Sequence, residues 1–193
     1  MAQLSIPVIY GSVRPGRQGI KAARYIVHAL EARNHKPVLV DPLAHRLPLL
    51  DRMYKEYPRG EAPAVLEELA ALFRAADGFM IVSGEYNHSI PPALSNLMDY
   101  FLEEYFWRPA GIVCYSNGQF GGVRAAIQLR AMLAEMGMVT IPTLQPFPRV
   151  QDAFDDNGVP TEPRTELFTK SFFEEFEWYA NALGAARAKG VPG

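Results

Sequence analysis

The sequence is short of several things, and each shortage excludes a class of protein. Among its 193 residues there is one cysteine, Cys114. No disulfide can form within the chain, which fits a reducing, cytoplasmic setting. No apolar run approaches the ~18 residues of a membrane span. Met1 to Tyr10 lacks a charged segment followed by a cleavage site, and reads as a strand rather than a signal peptide. Charge of one sign is not in excess: 19 Lys and Arg stand against 21 Asp and Glu, a net charge of −2. That balance, with no basic run, argues against nucleic acid and against an acidic membrane surface. His28, His35 and His45 are scattered, and no His/Cys/Asp group has metal-ligand spacing. Asp155-Asp156-Asn157-Gly158 has the look of a calcium loop. Aligned on its glycine, however, it puts Ala153 and Arg164 at required ligand positions, so a solvated turn is expected. Repeats and low-complexity stretches are also missing.

What is present is an ordinary globular composition, 49% apolar and 21% charged, long enough for one domain over residues 1–193. Two kinds of apolar run alternate. Leu4–Tyr10, Pro37–Val40, Gly78–Ser83, Ala110–Tyr115 and Met138–Ile141 are short and rich in β-formers, as buried strands are. Between and after them lie segments with apolar residues at helical spacing: Ile20–Ala32, Pro63–Ala76, Ser89–Tyr105, Gly122–Met136 and Thr161–Lys189. Ser89 is placed to cap the third helix, with Pro91 and Pro92 in its first turn. Strands interleaved with helices predict an α/β fold, a parallel sheet covered on both faces. Longer loops are expected at Pro42–Ala62 and Gln145–Pro160. In such folds ligands bind at the carboxyl ends of the strands, which singles out the loops after strands one, three and four.

The first of these runs from Gly11 to Ile20. Its glycines have the wrong spacing for a dinucleotide fingerprint, and no Gly-Lys-Ser/Thr follows as in a P-loop. Its chemistry still suits a single phosphate group. A helix N-terminus offers free N–H groups, Ser12 and Gln18 carry donors, and Arg14 and Arg17 add charge. A polar turn with two solvated arginines is the plainer alternative. The third-strand loop reads Gly84-Glu85-Tyr86-Asn87-His88-Ser89, and the fourth-strand loop carries Ser116 with Gly118, Gly121 and Gly122. Cys114, inside an apolar strand, is expected to be a buried, inert thiol. Glu103 and Glu104 are adjacent on a helix, so they are not a facing acid pair.

Ser12 and Arg14 after strand one, Glu85-Tyr86-Asn87 before Ser89-Ile90-Pro91, the segment Ala93-Leu94 to Asp99-Tyr100, and the fourth-loop glycines resemble the NADPH-dependent FMN reductase family. That family includes flavin-dependent quinone, azo-dye and chromate reductases. The resemblance runs from about Leu4 to Leu183. It departs at Gly84, where the family usually has proline. It implies a flavodoxin-like fold with a five-stranded parallel sheet in the order 2-1-3-4-5. It also implies bound FMN, with NADPH or NADH as reductant and a small acceptor: flavin, quinone, azo compound or metal oxyanion. Ser12, Arg14, Gln18, Gly19, Ile20, Gly84, Glu85, Tyr86, Asn87, Ser116, Gly118 and Gly121 become the expected cofactor-binding residues. The flavin would carry the chemistry, so no side chain is expected to act as acid or nucleophile, and no metal is expected. A flavodoxin-like electron carrier and a flavin-binding regulatory module are the rival readings; a carrier would be expected to be more acidic. The family forms dimers or tetramers. Here the aromatic segment Tyr100–Trp107 suggests a homo-oligomer, with Pro42–Ala62 covering the neighbour's flavin.

Overall fold

A computed structural model describes residues 3–192. Five strands form one sheet: β1 (Ser5–Tyr10), β2 (Lys36–Val40), β3 (Phe79–Ser83), β4 (Pro109–Tyr115) and β5 (Val139–Phe147). All neighbours are parallel, and the order is β2-β1-β3-β4-β5, the flavodoxin-like arrangement expected from the sequence. Six helices connect or follow them: α1 (Gly19–Ala32), α2 (Ala64–Arg74), α3 (Pro92–Asp99), α4 (Val123–Glu135), a short α5 (Val150–Ala153) and α6 (Arg164–Arg187).

The period of two along each strand deals side chains to two cores. Ile6, Val8, Tyr10, Met80, Val82, Val113 and Tyr115 face α1 and α6, where Ala22, Ile26, Phe172 and Phe176 meet them. Ile9, Phe79, Ile81, Ile112 and Cys114 face α2, α3 and α4, against Leu69, Phe73, Leu97 and Leu129. Every residue of β3 and β4 is buried. This explains why those strands read as unbroken apolar runs rather than alternating ones.

Three expectations needed correction. The helix expected over Ser89–Tyr105 is α3 alone, Pro92–Asp99, followed by a 3₁₀ turn at Glu103–Tyr105. A residue before proline is forced out of the helical region. Ile90 and Pro91 both precede prolines, and Pro91 is extended at φ −60°, ψ 136°. Ser89 therefore does not cap the helix; its hydroxyl donates to Gln128 Oε1 instead. Strand five is longer than expected and absorbs the start of the Gln145–Pro160 loop. Pro142 and Pro146 hid it, yet β5 is an edge strand, where proline is tolerated. Finally, Tyr100, Phe101 and Tyr105 are buried in the chain's own core, with Phe73 and Phe79 around them. Of the segment's large rings, Trp107 is the exposed one.

The Pro42–Ala62 loop lies on its own chain. Asn96 donates to Pro48 O (2.7 Å) and accepts from Leu50 N (2.8 Å), and Tyr54 N donates to Tyr100 O (2.8 Å). The Asp155–Gly158 segment is a turn in which Asp155 Oδ1 accepts from the Asn157 and Val159 amides. Cys114 is buried, and burial pushes its thiol up to about 12, so it stays an unreactive thiol at neutral pH. Among the described residues no helix is long and apolar enough to cross a membrane.

Candidate functional site

The loops after β1 and β3 meet at the carboxyl end of the sheet, with the end of β4 between them. They enclose a cleft of about 260 Å³. Its walls take in Ser12, Arg14, Gln18 and Gly19 from the first loop, Gly84, Glu85 and Tyr86 from the second, and Ser116 from the third. Of the other residues expected to bind cofactor, Ile20, Asn87, Gly118 and Gly121 stand outside this wall.

Loop one is held rigidly by a residue that the sequence suggested for phosphate. Arg17 does not point freely into the cleft. Its guanidinium grips both oxygens of Asp41 at the end of β2 (2.6 and 2.5 Å), donates to Ser12 O (2.8 Å), and lies over the Tyr10 ring. Burial opposes ionisation of Asp41, but the hydrogen bonds and charge of Arg17, with the Leu43 amide, together outweigh it and hold the carboxyl below its ordinary value. Arg17 also lines the cleft, but its guanidinium is committed to Asp41 and Ser12 and so shapes the loop. Gln18 is also used locally, donating to Gly16 O (3.0 Å).

Two groups of loop one keep donors for a ligand. Arg14 is exposed, and among the described residues its side chain makes no hydrogen bond; its guanidinium sits 5.8 Å from the Tyr86 ring. Helix α1 begins with no side chain capping it; Lys21 N turns back to Gln18 O (3.1 Å), which leaves the Gly19 and Ile20 N–H groups to an anion. Gly16 adopts φ +64° with nothing within 4 Å of the position a Cβ would take, which leaves the backbone open to close approach. Ser12 is buried, and its hydroxyl lies 3.3 Å from Tyr86 Oη.

Loop three is pinned to α4. Glu85 Oε2 accepts from the Arg124 amide (3.0 Å) and the Ala125 amide (3.3 Å), and Oε1 lies 3.4 Å from the Arg124 guanidinium. A carboxylate from another segment thus caps the helix that Gly122 begins. Gln128 completes the clamp, donating to His88 O (2.6 Å) while accepting from Ser89. Glu85→Ala is expected to lower stability by about 1–2 kcal/mol, the range for a lost cap, and to speed hydrogen exchange at the Arg124 and Ala125 amides.

Tyr86 and Ser89 exchange two backbone hydrogen bonds across Asn87 (φ +51°) and His88 (φ +63°). Two left-handed residues in a two-residue turn suit Asn first and Gly second. His88 therefore carries strain. His88→Gly is expected to raise the denaturant midpoint by an amount equivalent to about 1 kcal/mol, since left-handed geometry costs a side-chain-bearing residue ~1–2 kcal/mol.

In loop four, Ser116 Oγ donates to Gly118 O (3.0 Å), and Arg149 N donates to the same carbonyl (3.0 Å). Gly121 (φ +62°) and Gly122 (φ +78°) pack so closely against Pro146 and Tyr115 that a Cβ would meet them at 2.9 and 2.6 Å. These glycines shape the turn.

The family profile described as NADPH-dependent FMN reductase matches residues 4–149. The chain belongs to the NADPH-dependent FMN reductase family. A quinone reductase of Escherichia coli (strain K12) is 31% identical over 138 residues, covering 68% of this chain and 70% of that protein. An NADPH azoreductase of Bacillus sp. (strain OY1-2) is 29% identical over 140 residues, covering 72% and 74%. Among solved structures, FerB of Paracoccus denitrificans, a flavoenzyme NAD(P)H:(acceptor) oxidoreductase, superposes with a TM-score of 0.72 at 21% identity, covering 91% of this chain and 98% of FerB. As a member of this reductase family the protein is an oxidoreductase.

The cleft fits one end of the family's cofactor. Its volume falls below the ~300–1,000 Å³ of a whole small-molecule site, which suits a phosphate and the start of a sugar chain. Its donors are a guanidinium, a hydroxyl and uncapped helix amides, the set that phosphate oxygens accept from. Sequence reasoning missed five residues here: Tyr10, Asp41, Tyr115, Arg124 and Gln128. Asp41 and Arg124 act on loop residues 24 and 39 positions away, and no local pattern reports such pairs.

Proposed function

We propose that this chain is a single FMN-binding domain that oxidises NADPH or NADH and passes the electrons to a small acceptor: free flavin, quinone, azo compound or metal oxyanion. The observation that carries the reading is the junction of loop one and loop three around a phosphate-sized cleft, in a member of a flavin reductase family. Ser12, Arg14, Gln18 and Gly19 would hold the phosphate end, with the backbone amide of Ile20 behind them in the first turn of α1. Gly84, Glu85, Tyr86 and Asn87, with Ser116, Gly118 and Gly121, would hold the ring end. FMN, when bound, supplies hydride acceptance from nicotinamide and electron delivery to the acceptor.

The protein's part is position and electrostatics. Arg14 offsets phosphate charge. Arg17 and Asp41 keep loop one in shape before the ligand arrives, which lowers the ordering cost of binding. Glu85 and Gln128 do the same for loop three, so its backbone amides are fixed relative to the ring edge. No side chain is asked to accept or give a proton. One site serving reductant and acceptor in turn requires ping-pong kinetics. Initial-rate plots against NADPH and quinone are expected to give parallel lines; intersecting lines would contradict the shared site.

We place the protein in the cytoplasm as a homodimer or homotetramer. Leu167, Phe168 and Trp178 expose large apolar side chains on α6, as contact surfaces do. Light scattering is expected to give a mass of two or four chains, and a monomer would overturn that part.

A further inference from the structure

Tyr115, the last residue of β4, stands in space that two glycines leave open. A Cβ on Gly19 would lie 1.9 Å from Tyr115 Cζ, and a Cβ on Gly84 would lie 3.2 Å from the same ring. Gly19 begins α1 and Gly84 begins loop three. The ring therefore fills the seam between the two halves of the cleft, and its small exposed fraction, 8%, faces that cleft. Gly84 carries no side chain where this bulky neighbour stands.

The hydroxyls around the seam are loosely paired. Tyr115 Oη donates to Tyr10 Oη at 3.4 Å, and Ser12 Oγ lies 3.3 Å from Tyr86 Oη. Good O–H···O bonds centre near 2.7–2.8 Å. Four hydroxyl groups thus line one region with protons only weakly held. Hydroxyls can serve as acceptors for one another, but a phosphate oxygen is the stronger acceptor and draws such protons to itself. Burial pushes the phenols of Tyr10 and Tyr115 upward, so both are neutral donors at physiological pH and add no negative charge beside an anion.

We propose that Tyr115 is a cofactor-binding residue whose hydroxyl donates to the phosphate end of FMN while its ring closes the cleft floor, with Gly19 and Gly84 as the small residues that make room for it. This rests on the FMN reading above. It goes beyond that reading by assigning a phosphate ligand outside the three loops.

The test compares FMN with riboflavin, which lacks the phosphate, by fluorescence titration of the unsubstituted chain and Tyr115→Phe. The variant keeps the ring and loses only the hydroxyl. Its dissociation constant for FMN is expected to rise about tenfold, the scale of one hydrogen bond to a charged group, with that for riboflavin unchanged. Equal losses for both flavins, or no loss for FMN, would overturn the phosphate contact. The fit is tested separately by thermal unfolding. Gly84→Ala is expected to lower Tm, and adding Tyr115→Val is expected to lower it by less than the sum of the two single changes. Strictly additive losses would overturn the role of Gly84. If the unsubstituted chain binds neither flavin, the cofactor reading itself fails and this proposal falls with it. If it binds FMN and Tyr115→Phe binds it equally well, only this proposal fails.

Discussion

Arg14→Ala is expected to weaken FMN binding by roughly 30-fold and riboflavin binding hardly at all. The side chain is exposed and makes no hydrogen bond among the described residues, so its removal should cost the fold little. A charge-assisted hydrogen bond contributes about 1.5–3 kcal/mol, and a tenfold change in affinity corresponds to about 1.4 kcal/mol. A loss near 2 kcal/mol is therefore in proportion for one guanidinium on one phosphate. The contrast with Arg17 is the sharper part. Arg17→Ala also removes a cation from loop one, but it leaves Asp41 unpaired and Ser12 O without a donor. That change is expected to lower stability and to weaken both flavins together. Titrations of the two variants with both ligands distinguish an arginine that touches the ligand from one that holds the loop.

The second large effect lies at the opposite end of the sheet. Glu177 of α6 is buried, its side chain 2% exposed. It accepts a bidentate pair from Arg33, with Nη2 at 2.8 Å, and a third bond from His35 Nε2 at 3.0 Å. His35 Nδ1 in turn accepts from the Leu4 amide (3.2 Å), so that nitrogen is the unprotonated one and the imidazole is bound as the Nε2–H tautomer. The cluster ties α6 to the end of α1 and the start of β1. Removing one partner of a buried ion pair strands the others, at about 3–5 kcal/mol. Glu177→Ala is expected to lose about that much, read as a lower urea midpoint at unchanged slope. Residual FMN affinity of the folded fraction should be untouched, because no cleft residue is involved.

The same carboxylate gives a pH dependence. Burial alone would raise it, but the hydrogen bonds from Arg33 and His35 win, and the folded value falls below the ordinary 4.5. A depressed folded value means that the unfolded chain binds the proton first. The contribution of Glu177 is thus complete above about pH 5 and is lost as the pH falls below 4.5 and through the folded value. Asp41, held down by Arg17, adds to the loss in the same direction. Unfolding midpoints followed from pH 7 downward are expected to fall steeply only below about 5, and Glu177→Ala should flatten that slope.

How far the sequence went depended on whether a feature was local. The strands were legible because β3 and β4 are buried on both faces, so Phe79–Ser83 and Pro109–Tyr115 carry almost nothing else. Helix α1 matched its expected bounds within a residue because its apolar stripe and loop boundaries agree. β5 was read short because Pro142 and Pro146 mark breaks everywhere except at an edge. The start of α3 was misplaced although the signal was present: two prolines in a row force two residues before the helix to be extended. The site followed the same division. Loop one and loop three were visible as motifs. The partners that fix them were not, since Asp41, Arg124 and Gln128 meet those loops only through the fold. Ring count along Tyr100–Trp107 does not reveal which rings the chain covers itself: Phe73 and Phe79 pack on Tyr105, whereas Trp107 stays exposed.

The central claim is that FMN is held here and takes electrons from a nicotinamide. The most direct measurement is the visible spectrum of the protein after incubation with FMN, desalting and anaerobic addition of NADPH. One flavin per chain should survive desalting, and its absorption band should bleach within the mixing time of a slow titration. A colourless protein after desalting, or a bound flavin that NADPH and NADH both leave oxidised, would contradict the account.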